Sequence, residues 1–267
     1  MARAQYRPPL SLVTGASSGI GAAFARALAA RGSDLVLVAR REDRLRDLAS
    51  ELEAAHGIRC IVIPLDLAQP RPGATLLAKL GERLPDLVVN NAGFGIQGDV
   101  AATDPDRLAQ QVAVDVGAVV DLCRAFVEPM IARCSGVILN IASTAAYQPV
   151  PGMAVYAASK AFVKLFTEAL WHEARPHGVT VFAVSPGAVA SEFFAEGKQI
   201  SAPTPYWEPS RIANAGLRAL DRGLRRDGIH VPPEVMPGFA NRAAAFSTRF
   251  VPRRVLLHFS AKLALGR

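Results

Sequence analysis

The strongest constraint on this chain is a series of short, almost continuously apolar runs set between segments of helical pattern. They are Leu10–Thr14, Asp34–Ala39, Ile58–Leu65, Asp86–Asn90, Gly136–Ala142, Val179–Ser185 and the shorter Gly228–Val231. A strand with one wet face alternates apolar and polar residues, whereas a run apolar throughout belongs in a sheet covered on both faces. Between the runs, "RLRDLASELEAAH" is amphipathic, and "TDPDRLAQQV" opens with a capping residue and an early proline. Strands alternating with helices of this length imply right-handed crossovers and a single doubly wound α/β domain. Its sheet would have seven parallel strands with helices on both faces.

Composition supplies the material. Of 267 residues, 51% are hydrophobic and 20% charged, enough for one large core, and no linker, repeat or low-complexity run divides them. Cys60, Cys123 and Cys134 are odd in number, widely spaced and lack a CxxC pattern. That argues against a disulfide framework or a zinc site and fits a reducing compartment. No metal-ligand cluster is expected. Neither a secretory leader nor an apolar run of membrane-spanning length is legible, so the expected location is cytoplasmic.

The first apolar run leads into "TGASSGIG", with Gly15, Gly19 and Gly21 at the mouth of a helical segment. Glycines there let backbone N–H groups approach a pyrophosphate closely, and the helix N-terminus adds unpaired donors and partial positive charge. The strand-before, helix-after context favours a dinucleotide turn over a plain tight turn. At the end of the second strand, an acid would bind a ribose hydroxyl. Arg40 stands there instead, 19 residues after Gly21, with Arg41 behind it. A guanidinium suits a 2′-phosphate, so NADP(H) is expected ahead of NAD(H). Asp66 and Leu67 end the third strand beside the same crevice, where Asp66 can accept from an adenine amino group.

Tyr156 and Lys160 are four residues apart, one turn along a helix. With these segments in order, the chain resembles the short-chain dehydrogenase/reductase family over roughly Leu10 to Val231. "TGASSGIG" is similar to the family's cofactor turn, "NNAG" (Asn90–Gly93) to its fourth-strand signature and "YAASK" to its YxxxK motif. "NIAS" ends in Ser143, thirteen residues before Tyr156, and "SPG" at Ser185–Gly187 matches the segment past the sixth strand. The resemblance implies a Rossmann-like fold and cofactor contacts from Gly15, Ser17, Ser18, Gly19, Ile20, Gly21, Asn90, Gly93, Val189 and Ser191. It also implies hydride transfer between nicotinamide and a carbonyl or secondary alcohol. Tyr156 would be the acid/base, Ser143 would orient the substrate oxygen, and Lys160 would lower the Tyr156 pKa and hold the nicotinamide ribose. A homodimer or homotetramer on the fourth and fifth helices would follow. The family's usual helix asparagine is matched here by Asp115, which is expected to tune Lys160.

Two segments stand apart. Residues 186–210 form a long Pro-containing stretch at the ligand end of the sheet, and Phe193, Phe194, Ile200, Tyr206 and Trp207 would make it an apolar lid over a hydrophobic substrate. The domain is expected to close at 231, with 232–267 as a basic amphipathic helical extension. After Glu234 come Arg242, Arg249, Arg253, Arg254, Lys262 and Arg267 and no acid, leaving 24 basic against 23 acidic residues elsewhere. The extension suits packing on the body, a partner subunit or a membrane surface; no recognition motif points to nucleic acid. Two other readings stay open: an NAD-preferring dehydrogenase, and a cofactor-binding sensor or scaffold with little catalysis because of Asp115.

Overall fold

Six of the apolar runs become neighbouring strands of one parallel sheet. In the computed structural model, residues 5–190, 192–193, 206–225 and 228–265 are described. The strands are β1 (Leu10–Thr14), β2 (Asp34–Ala39), β3 (Cys60–Pro64), β4 (Leu87–Asn90), β5 (Gly136–Ile141), β6 (Val179–Val184) and the edge strand β9 (Glu234–Val235). Their order is β3-β2-β1-β4-β5-β6-β9. The chain winds outward from β1 to β3, then crosses back to β4 on the other side of β1. That reversal opens a crevice at the carboxyl ends of β1 and β4, where ligands of such sheets bind.

Helices cover both faces. α1 (Gly19–Ala29), α2 (Glu42–His56) and α7 (Pro209–Gly223) pack on one, burying Phe24, Leu28, Leu45, Leu52 and Leu217. α3 (Pro72–Leu80), α5 (Val119–Ala132) and α6 (Ala154–Ala174) pack on the other around Leu76, Leu122, Phe126 and Val163. α4 (Pro105–Val112) opens on Asp104, whose side chain accepts from Asp106 N at 3.0 Å. Between α4 and α5 the helix widens into a π-helical segment, Ala113–Ala118, which carries Asp115. Such insertions frequently mark functional positions.

The last strand differs from the sequence expectation. Gly228–Val231 does not join the main sheet. Gly228–Ile229 (β8) pairs antiparallel with Leu224–Arg225 (β7). Side chains take the carbonyls of this segment: Thr180 Oγ1 donates to Ile229 O at 3.0 Å and Trp171 Nε1 to Val231 O at 2.9 Å. Pro232 and Pro233 follow and have no N–H to offer a ladder. Parallel pairing resumes only beyond them, with Ala183 opposite Glu234 and Val184 opposite Val235. The sheet thus ends past the boundary expected at 231.

The basic extension folds as α8 (Phe239–Ser247) and α9 (Arg253–Leu265). One face of each docks on the body, burying Asn241, Ala245, Leu256 and Ser260. Of the expected lid, Phe194 and Ile200 lie outside the described residues. Trp207 anchors rather than covers. Its N–H donates to Ala188 O and its carbonyl accepts from Ala190 N, both at 2.9 Å. Gly238 lies so close to its ring that a β-carbon there would come within 2.6 Å.

Candidate active site

Thr14 ties the crevice together. Its buried hydroxyl accepts from Asn91 N and Ala92 N, each at 3.0 Å, and Asn91 Nδ2 donates to Thr14 O at 2.9 Å. The turn that follows has room only for glycine. Gly15 adopts φ +65°, and a β-carbon on Gly21 would lie 2.3 Å from Gly15 O. α1 then begins at Gly19 with no side chain capping it, so first-turn N–H groups point into the crevice. Arg41, from the end of β2, donates to Ser17 Oγ and Ser18 Oγ at 3.0 Å and reaches Glu192 Oε2 at 2.9 Å. Arg40 is exposed beside it. Glycine cradle and helix N-terminus fit the pyrophosphate of a nicotinamide dinucleotide.

One cavity of about 620 Å³ runs from this turn to the mouth of α6. At its other end, Ser143 follows β5 and caps a 3₁₀ turn (Thr144–Tyr147), its Oγ accepting from Ala145 N at 3.1 Å. The first two turns of α6 carry Tyr156 and Lys160. Ser143 and Tyr156 both line the cavity here, and Phe193 packs edge-on against the Tyr156 ring at 5.4 Å. Lys160 is buried, and its Nζ donates to Ile141 O at 3.0 Å.

The Tyr156 phenol is held above its ordinary value. Burial is the largest cause; the neighbouring Ser143 hydroxyl opposes it and the charge of Asp115 adds to it. Lys160 does not reverse this, for its Nζ sits 5.9 Å from the ring centroid and bonds a backbone carbonyl. Burial also lowers the Lys160 ammonium, against the attraction of Asp115.

Asp115 is fully buried behind Gly93. Its Oδ1 accepts from Phe94 N at 3.1 Å, while Oδ2 has no hydrogen-bond partner among the described residues. Burial pushes its carboxyl up to about 6, opposed first by Lys160 and then by the Phe94 N–H.

Among the sequence-predicted cofactor residues, Gly15, Ser17, Ser18, Gly19, Ile20, Arg40, Asp66, Leu67, Gly93, Tyr156, Lys160 and Val189 line the cavity. Gly21 does not; it acts through the tight turn behind Gly15. Asn90 does not line it either. Its Nδ2 donates to Asn140 Oδ1 at 2.9 Å in a buried network that continues to Thr167. Successive side chains of a strand point to opposite faces, so the next residue, Asn91, faces the crevice instead. Ser191 lies outside the described residues.

Sequence reasoning missed two sets of lining residues. Tyr147 puts a second phenol in the cavity, its hydroxyl donating to Glu234, which also accepts from Ser185. With its proton held by a carboxylate, Tyr147 is the poorer acid of the two tyrosines. Asn241, Ala244, Thr248 and Ser260 bring the C-terminal helices to the cavity wall. No local pattern announces either set.

A model of the short chain dehydrogenase family matches residues 10–200. A short chain dehydrogenase from Pseudocercospora fijiensis is 34% identical over 206 residues, covering 76% of this chain and 66% of that protein. A very-long-chain 3-oxoacyl-CoA reductase from Anas platyrhynchos is 31% identical over 220 residues, covering 80% and 70%. The probable oxidoreductase EphD of Mycobacterium tuberculosis is 33% identical over 196 residues, but the match spans only 33% of its length. The chain thus covers between a third and two thirds of several curated relatives. Among solved structures, a short-chain dehydrogenase from Sphingobium yanoikuyae in complex with NADPH superposes with a TM-score of 0.79 at 31% identity, covering 91% of this chain and 93% of that one. A bulky-bulky ketone specific alcohol dehydrogenase from Comamonas testosteroni gives 0.77 at 29% identity, covering 92% and 93%.

Proposed function

The chain belongs to the short-chain dehydrogenase/reductase family of oxidoreductases, and from that premise we propose that it interconverts a hydrophobic carbonyl compound and its secondary alcohol with NADP(H). The observation that carries this is the convergence of Ser143, Tyr156 and Lys160 at one end of a cavity whose other end holds the glycine turn, Arg40 and Arg41. When bound, the nicotinamide accepts or supplies the hydride. The first-turn N–H groups of α1 hold the pyrophosphate, and the two arginines bind the 2′-phosphate.

Ser143 and Tyr156, side by side in the cavity lining, both orient on the substrate oxygen. Tyr156 gives that oxygen its proton during reduction and takes it back during oxidation. The phenolate left by reduction is stabilised by the Lys160 ammonium, which Asp115 keeps charged in its buried position. Phe193, Val150, Met153 and Tyr206 line the substrate end and exclude water from the exchange. The bulky ketone and long-chain acyl substrates named for the relatives support an apolar substrate. Exposed Val112, Phe162 and Leu165, on α4 and α6, supply an apolar face for a homo-oligomer.

The test is thermal-shift titration with NADPH and NADH, followed by a panel of aliphatic, aromatic and acyl ketones with the better cofactor. Stabilisation by NADPH at concentrations where NADH has no effect, with turnover of an apolar ketone, is the expected result. Equal response to both cofactors overturns the role given to Arg40. A second reading rests on Asp115: its charge raises the Tyr156 phenol further, as in a cofactor-binding sensor with slow chemistry. Cofactor binding without turnover of any carbonyl supports that reading instead.

A further inference from the structure

The C-terminal helices have two unlike faces. Inward, Asn241 and Ala245 of α8 and Leu256 and Ser260 of α9 are buried. Outward stand phenyl rings: Phe239 is 78% exposed, Phe246 58%, Phe250 73% and Phe259 59%. A helix advances about 100° per residue, so Phe239 and Phe246, with Arg242 between them, run along one outward stripe of α8. Phe250 stacks edge-on against Phe246 at 5.2 Å, and Arg249 lies 5.7 Å from the Phe246 ring. On α9, Val255, Phe259 and Lys262 repeat the arrangement.

The cations here are unopposed. Arg242, Arg249, Arg253, Arg254 and Lys262 are exposed, no acid follows Glu234, and none of the five is in a salt bridge among the described residues. Large apolar rings grouped on a surface mark an interaction site. Rings and cations interleaved on short helices are the composition that seats in an anionic membrane interface.

We propose that the outer face of α8 and α9 docks on an anionic lipid surface, with the phenyl rings entering the headgroup–acyl boundary and the arginines pairing with lipid phosphates. A second copy of the chain is the poorer occupant. Two-fold pairing would set this face against itself and bring like charges together. The face also borders the cavity: Ala240 and Ala244 are both exposed and part of its lining, so they form its rim on α8. An apolar substrate dissolved in the membrane would reach the cavity there without crossing bulk water. That delivery rests on the cavity's role as a substrate site; the docking does not.

The full chain is sedimented with phosphatidylcholine vesicles containing or lacking phosphatidylglycerol, at low and high salt. Selective, salt-sensitive binding to the anionic vesicles is expected. It should weaken about tenfold or more in F246S/F250S/F259S and, separately, in R253E/R254E, both melting at the wild-type temperature. Equal recovery from both vesicle types, or undiminished binding by the folded variants, overturns the proposal. So does an oligomer, seen by analytical ultracentrifugation, that F246S/F250S/F259S dissociates while wild type ignores vesicles; that result assigns the face to a second copy.

Discussion

Asp115 and Lys160 meet across Gly93: a β-carbon added there would lie 2.7 Å from the carboxylate Oδ1 and 3.6 Å from the ammonium Nζ. Only a glycine leaves room for an acid and a base buried this close to one cavity. The carboxyl stands at about 6 and the ammonium is lowered, both chiefly through burial, so each depends on the other for its charge. This pair sets the first two predictions.

Asp115→Asn should change how stability depends on pH. The folded carboxyl binds a proton at pH values where the unfolded chain has already released it, so its contribution is present below about pH 4. It is lost as pH rises through the folded value of about 6. Two pKa units correspond to about 3 kcal/mol. Melting temperatures from pH 4 to 7 should therefore rise for the Asn variant relative to wild type, and the kcat/KM profile should lose its inflection near pH 6. Parallel curves would remove Asp115 from any role in tuning the site.

Gly93→Ala should damage catalysis more than folding. The added methyl meets a side-chain oxygen, which must move, and with it the field around Lys160. The expected signature is a fall in kcat with a melting temperature lowered by only a few degrees. A wild-type kcat would show that the carboxylate's position does not matter.

Tyr156→Phe keeps the ring and its edge-on contact with Phe193 while removing the proton. Turnover should fall by about 10²–10⁴-fold, the range for losing a general acid. NADPH should still raise the melting temperature. Tyr147→Phe, whose hydroxyl is held by Glu234, should cost far less. Equal losses from the two variants would mean the acid has been misassigned.

Arg40→Ala and Arg41→Ala should each weaken NADPH about 10- to 100-fold, the worth of charge-assisted hydrogen bonds, and leave NADH nearly unaffected. Arg41→Ala also removes one of the two partners of Glu192, leaving Arg44 to hold it at 2.8 Å. Isothermal titration with both cofactors measures the ratio directly. Losses shared equally by NADPH and NADH would place the arginines away from the 2′-phosphate.

The parts legible in the sequence are those set by local periodicity and short spacing. Continuous apolar runs declared a sheet covered on both faces, and β1, β2 and β6 begin at the residues where their runs begin. The glycine turn and the Ser143–Tyr156–Lys160 interval lie within single strand–helix units, so their geometry follows from the backbone between them. Asn90 and Asn91 mark the edge of this legibility. Type and spacing made both plausible ligands of the crevice, but the pleat sends one into the core and the other into the cavity.

The tertiary structure alone decided what depends on segments distant in sequence. It chose Glu234–Val235 over Gly228–Val231 as the edge strand, because α6 and β6 side chains had claimed the carbonyls of the earlier segment. It also brought α8 and α9 to the cavity wall and turned their phenyl rings outward. The Tyr156 phenol is raised although a lysine stands one turn away, because desolvation is a property of everything packed around a group. Sequence by itself determined the local spacing that sets Ser143, Tyr156 and Lys160 in one strand–helix unit. Burial, which only the assembled fold supplies, raised the Tyr156 phenol and lowered the Lys160 ammonium.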